Sequence, residues 1–285
     1  MKIVIIGLGL MGGSFARALG RQGGHTIAAC DRDESTLAAA LADGVIHTAL
    51  TDETLPAALA EAGLVLCCLR PGDTVTFFDT HLAHIAPDAI LADIAGVKRP
   101  VCDTLFPAAR QVGRCFFGGH PMAGRERGGY AHSDAALFDG ASFLFVRDPG
   151  RADDSAYADK ASAFIELLRS LGFAGVLETD AATHDQRVAY TSQLAHLTAC
   201  AYMLDPLAKL HHGYSAGSYR DLSRVARLDP EMWAELFTLN RDNLDAILGH
   251  LIDHLSDLRE AVNTDPVRLR ELLAEGNRIK EETLT

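Results

Sequence analysis

The first thirteen residues constrain the fold more than any other segment of the chain. Residues 2–6 form a short β-branched run that ends at Gly7, and the residues from Met11 to Leu19 then have the apolar spacing of a helix. Gly7, Gly9 and Gly12 form the pattern GxGxxG between them. A strand, a glycine-rich turn and a helix in this order are typical of the first unit of an open, doubly wound sheet.

The three glycines predict a dinucleotide site. The first permits a tight bend, the second lets the backbone approach a pyrophosphate, and the third lets the helix pack closely. The helix N–H groups near Leu10 and Met11 would point at the anion. Asp31 ends the second strand candidate nineteen residues after Gly12, where a carboxylate binds a ribose and repels a 2′-phosphate. We therefore expect NAD, although Arg32 leaves room for NADP; the alternative is a glycine-rich turn without a ligand.

Strand and helix candidates alternate as far as residue 180. Further strands are predicted at 26–30, 64–69, 89–94, 115–120, 142–146 and 175–179, and a helix at 153–171. This alternation indicates a parallel sheet covered by helices on both faces. The loop at Pro71 either lines the ligand crevice or is purely structural, and the sequence favours neither.

After Asp180 the β-branched runs stop and the pattern is helical to the end of the chain. We therefore expect an α/β domain with a Rossmann-type doubly wound parallel sheet at 1–180 and an all-α domain at 181–285. Thr183 and Gln186 form a candidate capping box for a helix that runs to about Met203. Further helices are predicted from near Ser218, from Pro230 past His250, and from Pro266.

Composition excludes several classes of function. A formal net charge of −12 makes nucleic acid a poor partner, because binding to phosphate backbones needs many Lys and Arg side chains. No run of eighteen apolar residues could span a bilayer. The six cysteines contain no CxxC pair, so we expect no metal site, and a reducing cytoplasm fits. An anionic substrate would need a local cluster of cations.

The segment GGHPMAGRERGGY, residues 118–130, is the most unusual in the chain. His120 lies between a glycine pair and a proline directly after a strand candidate, with Glu126 six residues on. The carboxyl end of a strand in this fold lies beside the nicotinamide. Imidazole titrates near neutral pH and suits a base that takes a hydroxyl proton as hydride leaves. Because an isolated histidine is more often structural, the prediction depends on these surroundings.

Polar residues interrupt an apolar helix candidate in the second half. His184, Ser192, Gln193 and His196 lie on it, and Ser192 and His196 are four residues apart, so they share a face. Polar groups in an apolar stripe need hydrogen bonds or solvent. They therefore either line a cleft or form a satisfied patch at a helix or subunit contact.

A charged cluster follows at 220–224. Arg220 and Arg224 share a helix face, and Asp221 can orient Arg224 from one turn away. A guanidinium held by a carboxylate is a good fork for a substrate carboxylate. The alternative is a solvated helix face with ion pairs.

Together these segments resemble the prephenate/arogenate dehydrogenase family from residue 1 to about residue 245. The GLGLMGGS opening is shared with several dehydrogenase families, whereas GGHPMAGRERGG, the HD at 184–185 with a serine eight residues later, and YRDLSRVARLDPEMW are more specific. The resemblance implies a nucleotide-binding domain, a helical domain that forms a homodimer, and an active site between them. It also implies NAD-dependent oxidative decarboxylation of prephenate on the route to tyrosine.

The resemblance also assigns roles to residues. His120 matches the catalytic histidine that interacts with the ring hydroxyl, and Arg224 matches the arginine that holds a substrate carboxylate. The residues that match positions around the cleft are Glu126, His184, Ser192, His196, Gly217 and Asp221, and Gln193 is expected beside them.

Two places depart from the family pattern. Gly96 stands where the family usually has a serine near the nicotinamide and the catalytic histidine, so a hydroxyl is missing from this expected cofactor contact. Gln193 and Ala195 replace a histidine and a proline of the bacterial prephenate enzymes, and plant arogenate-type enzymes are similar in carrying glutamine there. The choice between prephenate and arogenate therefore stays open.

Two other functions are compatible with a nucleotide-binding start. A β-hydroxyacid dehydrogenase has a similar GLGxMG opening but uses a helical lysine, and Lys160, Lys209 and Lys280 lie in no comparable motif. A non-catalytic NAD-binding protein is favoured by Gly96 but opposed by the retained residues His120, Asp221 and Arg224.

Overall fold

Eight strands form a single sheet in the first two-thirds of the chain. The computed structural model describes residues 1–284. The strands are β1 Lys2–Ile6, β2 Thr26–Cys30, β3 Thr48–Ala49, β4 Leu64–Cys67, β5 Ile90–Asp93, β6 Cys115–Pro121, β7 Ser142–Val146 and β8 Gly175–Thr179. Their order in the sheet is β3-β2-β1-β4-β5-β6-β7-β8. The short strand β3 had no counterpart among the sequence predictions.

Six helices accompany the strands and six more follow them. The first six are α1 Leu10–Gln22, α2 Glu34–Ala42, α3 Leu55–Ala60, α4 Pro71–His81, α5 Arg99–Gln111 and α6 Ser155–Ser170. The later ones are α7 Ala181–Val188, α8 Leu194–Met203, α9 Gly217–Ser223, α10 Pro230–Leu239, α11 Arg241–Thr264 and α12 Pro266–Glu282. Within residues 1–284, no helix combines the length and the apolar character needed to cross a bilayer.

The sheet is buried on both faces. Ile3 and Ile5 of β1 belong to an apolar cluster that includes Phe15 of α1, whereas Val4 and Ile6 belong to a second cluster with residues of α4 and α5. Successive side chains of a strand point to opposite faces, so one apolar strand supplies both clusters. The predicted Rossmann-type sheet with helices on both faces, followed by a helical region, is confirmed.

Two strands, β7 and β8, run against the direction expected from the sequence. β7 pairs with β6 antiparallel, with His120 opposite Leu144, and β8 is parallel to β7, so both run opposite to the six mutually parallel strands before them. A parallel neighbour needs a crossover, usually a helix. The connection at 122–141 has a 3-10 turn at Tyr130–His132 in that place, and it packs on α1, where the Asp134 N–H donates to Ser14 Oγ at 3.0 Å. The expectation of a parallel sheet was therefore wrong at the step from β6 to β7, after which β7 and β8 run antiparallel to the other strands.

Two helix predictions in the second half need correction. Asp180, not Thr183, caps α7, because its carboxylate accepts from the Thr183 N–H at 2.9 Å. The helix expected from Pro230 past His250 is divided into α10 and α11 at Asn240. Hydrogen bonds of the buried Asn240 side chain stabilise this break between the two helices. The predicted start at Pro266 is confirmed.

Candidate active site

The glycine turn has the shape that a dinucleotide requires. Gly7 has a φ of +87°, a left-handed conformation that favours glycine. A β-carbon at Gly12 would lie 1.9 Å from the Gly7 carbonyl oxygen, so α1 can pack on the turn only with glycine there. A β-carbon at Gly9 would meet no atom within 4 Å. Gly9 therefore faces open space where Leu10 and Met11 begin α1, and the free N–H groups of a helix N-terminus attract an anion.

Asp31 lies beside this turn, after the last residue of β2. Its Oδ2 accepts a hydrogen bond from the Leu8 N–H at 2.6 Å, and its Oδ1 accepts one from the Asp33 N–H at 2.9 Å. These bonds hold the carboxylate at the carboxyl end of β2, and Arg32 is exposed next to it. The turn and Asp31 together fit the pyrophosphate and the ribose of a dinucleotide.

Three side chains form a hydrogen-bonded chain where β6 meets α7. His120 Nδ1 lies 2.9 Å from His184 Nε2, and His184 Nδ1 lies 2.7 Å from Asp185 Oδ1. His184 and Asp185 are buried, whereas His120 is half-buried. The structure therefore joins the predicted residues His120 and His184 directly, and it adds Asp185, which had not been predicted as a site residue.

The surroundings of both imidazoles lower their pKa values. Burial is the largest cause for His120, and nearby His184 and Lys98 act in the same direction, so the pKa of His120 lies well below its ordinary value. Burial also lowers the pKa of His184, although the hydrogen bond to Asp185 opposes this change. Both rings are therefore neutral near pH 7, and His120 can accept a proton.

Asp185 is anchored to the N-terminus of α5. Its Oδ1 accepts from the Lys98 N–H at 2.7 Å and its Oδ2 from the Arg99 N–H at 2.9 Å. Burial by itself would raise the pKa of Asp185, but hydrogen bonds from His184 and from the Arg99 and Lys98 amides outweigh burial, and the pKa lies below its ordinary value. Asp185 therefore remains a carboxylate and ties α7 to the sheet region.

Further buried polar groups, which were not predicted from the sequence, lie beside the hydrogen-bonded residues His120, His184 and Asp185. Lys98 Nζ pairs with the Asp93 carboxylate, and both side chains are fully buried. Asn240 Nδ2 donates to the Asp185 carbonyl and to Gln193 Oε1, each at 2.9 Å. A lysine five residues after an aspartate that ends an apolar strand could have signalled the first pair. Asn240 carried no such signal, because its partners are distant in the sequence.

Gly96 lies next to the catalytic candidate. A β-carbon at Gly96 would be 3.9 Å from His120 Nε2 and 3.2 Å from Leu236 Cδ2. The Leu236 side chain, from α10, therefore lies close to the place that a serine side chain at position 96 would take. The group nearest to the place of the family's serine hydroxyl is therefore the apolar Leu236 side chain, which cannot replace that hydroxyl.

A groove in the helical part collects several other predicted residues. It has a volume of about 810 Å³, and its lining includes Ser192, His196, Asp221 and Arg224. Ser192 lies in a π-helical segment, Ala189–Gln193, between α7 and α8; such distortions are frequent at functional sites. The groove is thus formed where the predicted polar residues interrupt the helix.

The remaining predicted residues lie outside this lining. Gln193 and His184 are buried, and Gly217 begins α9. Gln193 Nε2 is buried without a hydrogen-bond partner among residues 1–284. An unsatisfied buried donor costs about 1–3 kcal/mol, so this amide has an unmet capacity for a ligand or water oxygen.

Arg224 links the groove to the loop after β6. Its Nη1 donates to Glu126 Oε1 at 2.9 Å, and both side chains are largely exposed. The sequence had suggested Asp221 as the partner, which was wrong for the described structure: α9 ends at Ser223, and the 3-10 turn at Arg224–Ala226 breaks the helical register between the two residues. A carboxylate does hold the guanidinium, but it comes from the sheet region.

Comparison with protein-family models identifies the family. The model described as "Prephenate dehydrogenase, nucleotide-binding domain" matches residues 15–170, and the model described as "Prephenate dehydrogenase, dimerization domain" matches residues 180–275. The chain belongs to the prephenate dehydrogenase family. It is therefore a dehydrogenase with a nucleotide-binding domain, and the resemblance found in its motifs is confirmed.

Individual relatives carry different substrate names. A cyclohexadienyl dehydrogenase from Zymomonas mobilis is 31% identical over 277 residues, which cover 91% of this chain and 88% of that protein. The structure of a prephenate dehydrogenase from A. aeolicus, in complex with hydroxyphenyl propionate and NAD+, has a TM-score of 0.83 and 26% identity, covering 100% of this chain and 98% of that one. The Synechocystis arogenate dehydrogenase structure has a TM-score of 0.79 and 27% identity, covering 99% and 100%. Proteins that are similar to this chain therefore differ in the substrate for which they are named.

Proposed function

We propose that this protein is an NAD-dependent prephenate dehydrogenase that converts prephenate to 4-hydroxyphenylpyruvate in tyrosine biosynthesis. The observation that carries the proposal is the position and hydrogen bonding of the His120 imidazole. The ring lies at the carboxyl end of β6, beside Gly96, and its Nδ1 is bonded to His184, so that Nε2 remains for a substrate. A dehydrogenase that oxidises an alcohol needs such a proton acceptor at this edge.

The chemistry follows from where this base lies. NAD, when bound, supplies the hydride acceptor. His120 Nε2 takes the proton of the ring hydroxyl as the hydride leaves the same carbon. Loss of the ring carboxylate as carbon dioxide returns the electrons of the broken carbon–carbon bond to the ring, which becomes aromatic, and the proton returns from His120 to the phenolic oxygen.

The other site residues are proposed to bind and orient. Arg224, held by Glu126, would bind a substrate carboxylate, because a paired guanidinium forms a fork for carboxylate oxygens. Ser192, His196 and Asp221 would contact the substrate from the groove. The unsatisfied Gln193 amide and His184 would border it, and Gly217 would shape the start of α9. The cofactor residues would be Gly7, Gly9, Leu10, Met11, Gly12, Asp31, Arg32 and Gly96.

The domain limits and the homodimer belong to the same proposal. We assign residues 1–180 to NAD binding and residues 181–285 to substrate binding and dimerisation. The family model for the second part is named for dimerisation. Ile252, Leu255 and Val262 of α11 are exposed, and burial against a second copy would remove this apolar surface from water.

Arogenate is the alternative substrate, because a similar solved structure carries that name. A spectrophotometric assay of reduced cofactor, with prephenate and arogenate each tested against NAD and NADP, separates the four combinations. We expect the highest kcat/KM for prephenate with NAD. Higher values with arogenate would transfer the proposal to that substrate, and no reduction in any combination would contradict it.

Replacement of His120 tests the proposed base. His120→Asn removes the proton acceptor but keeps a polar side chain of similar size, so turnover should fall by roughly 10²- to 10⁴-fold while NAD affinity stays nearly unchanged. His84→Asn is the control, since His84 is exposed and precedes β5, at the opposite edge of the sheet. Turnover of His120→Asn near the wild-type value would reject the assignment.

A further inference from the structure

Asp185 is the fixed end of the hydrogen-bonded series His120–His184–Asp185, here called the histidine chain. It accepts backbone hydrogen bonds from Lys98 and Arg99, and its burial leaves no solvent to compete with them. An ionised carboxylate has no hydrogen to donate, so the contact of 2.7 Å to His184 Nδ1 requires the hydrogen to be on that nitrogen. The position of the proton on His184 follows from its neighbour.

His184 transmits this constraint to His120. A neutral imidazole with its hydrogen on Nδ1 has a lone pair on Nε2 and can only accept there. The contact of 2.9 Å between His184 Nε2 and His120 Nδ1 therefore requires the hydrogen to be on His120 Nδ1. The remaining nitrogen of His120, Nε2, then has a free lone pair.

We propose that Asp185 and His184 are positioning residues that hold His120 in the tautomer with its proton on Nδ1 and its lone pair on Nε2. The role rests on the proposed function, because it prepares His120 Nε2 as the proton acceptor. The opposite tautomer would place a donor toward the substrate hydroxyl and leave two lone pairs facing each other between the imidazoles. Orientation of a catalytic histidine by a buried carboxylate is a general device of acid–base catalysis.

The contacts around the chain support a fixed arrangement. The Arg99 guanidinium, which also approaches Asp185, binds Asp242 at the start of α11, with its Nη1 2.7 Å from Asp242 Oδ2. Asn240 holds the Asp185 carbonyl. The orienting residues thus come from α7 and are locked to α5 and α11, whereas the residue they orient comes from β6. His120 can therefore act as a base only when the helical region is packed correctly against the sheet.

The tautomer can be measured without substrate. Long-range ¹H–¹⁵N spectra of the full chain labelled with ¹⁵N-histidine distinguish protonated from unprotonated ring nitrogens, and His120→Asn assigns the His120 signals. We expect protonated Nδ1 and unprotonated Nε2 for both His120 and His184. A His120 ring protonated on Nε2 would overturn the proposal. Because no substrate is present, this result is independent of whether prephenate, arogenate or neither is turned over.

Variants of His184 test the functional consequence. His184→Leu removes the acceptor for the His120 Nδ1–H, whereas His184→Gln retains a side-chain oxygen that can accept it. We expect kcat with the preferred substrate to fall by roughly 10²- to 10⁴-fold in His184→Leu, with a smaller change in KM, and to recover partly in His184→Gln. Equal loss in both variants, with both folded by circular dichroism, would contradict a positioning role.

A pair of variants separates the orientation of His120 from the packing around Arg99. Asp185→Asn changes the histidine chain, and Asp242→Asn is its control. Asp242 binds the same Arg99 but lies outside the histidine chain. We expect Asp185→Asn to increase the Nε2-protonated population of His120 and Asp242→Asn to leave it unchanged. Unchanged spectra in folded Asp185→Asn would overturn the proposal; if that variant does not fold, the His184 pair decides.

Discussion

The protonation of the His120 and His184 imidazoles should affect the stability of the fold. His120 and His184 have pKa values below that of a free histidine, about 6.5, because burial disfavours the charged ring. The unfolded chain therefore takes up protons on these residues at a pH where the folded chain does not. The free energy of unfolding should fall as the pH decreases through about 6.5 toward the folded pKa values.

This linkage gives a pH prediction. The midpoint temperature should fall as the pH is lowered from about 8 to 5, and His120→Asn should show a shallower fall, since one proton fewer, about 1.4 kcal/mol per pH unit, is linked to unfolding. Thermal scans between pH 8 and 5 measure how the midpoint temperature depends on pH, with His84→Asn as the control for loss of an exposed histidine. Equal slopes for wild type and His120→Asn would show that His120 is not kept neutral by the fold.

Arg224 offers a second prediction at the scale of one residue. Arg224→Ala should raise the KM for the substrate by roughly 10- to 100-fold with a smaller change in kcat, because a charged hydrogen bond worth about 1.5–3 kcal/mol is lost. Arg227→Ala, an exposed arginine three residues later, is the control in the same steady-state assay. An unchanged KM would place the carboxylate elsewhere, with Arg220 as the first candidate.

At the scale of elements, the turn between β1 and α1 combines two different glycine requirements. Gly12 is needed because the helix contacts the turn, and Gly9 is open because nothing in the described chain occupies the space beside it. The first requirement concerns the fold, and the second concerns a ligand that approaches the backbone. Two alanine variants can therefore separate folding from cofactor binding.

Gly9→Ala should leave the free energy of unfolding within about 0.5 kcal/mol of wild type but weaken NAD binding by at least about tenfold, because its methyl group enters the space for the pyrophosphate. Gly12→Ala should destabilise the fold by about 2 kcal/mol or more, since its β-carbon overlaps the Gly7 carbonyl oxygen. Thermal unfolding and titration calorimetry with NAD measure both. Tight NAD binding by Gly9→Ala would contradict the proposed cofactor site.

At the scale of the whole molecule, the site depends on contacts between the sheet region and the helices after residue 180. Asp185 binds the amides that begin α5, Glu126 binds Arg224, and Glu235 Oε1 accepts from the Gly72 N–H at 2.8 Å. These contacts lie at the carboxyl ends of the strands, where a dinucleotide binds in this fold. Movement of the helical region would therefore displace the proposed base and the proposed carboxylate site together.

The proposed homodimer gives a prediction at the same scale. The double variant Ile252→Asp with Leu255→Asp should shift the protein from dimer to monomer in sedimentation velocity, because charges replace apolar groups that would be buried between copies. Leu41→Asp, an exposed leucine of α2, is the control for a new surface charge. A dimer that persists in the double variant would show that this face of α11 is not the interface.

Local patterns in the sequence determined much of this protein. The β-branched run before Gly7, the glycine spacing and the alternation of strands and helices identify the sheet, because side-chain direction and backbone freedom act over a few residues. The position of His120 at the carboxyl end of a strand follows from the same patterns. The start of α12 at Pro266 was also predictable, since proline is favoured in the first turn of a helix.

Only the tertiary structure decided which of these residues meet. His120 and His184 are 64 residues apart, and Arg224 and Glu126 are 98 apart, so neither contact has a periodicity that the sequence displays. The antiparallel β7, the Leu236 side chain beside Gly96 and the buried Asp93–Lys98 pair likewise depend on how elements pack. Such contacts depend on the strand order and on how α7 and α10 pack against the sheet. Short-range propensities specify neither.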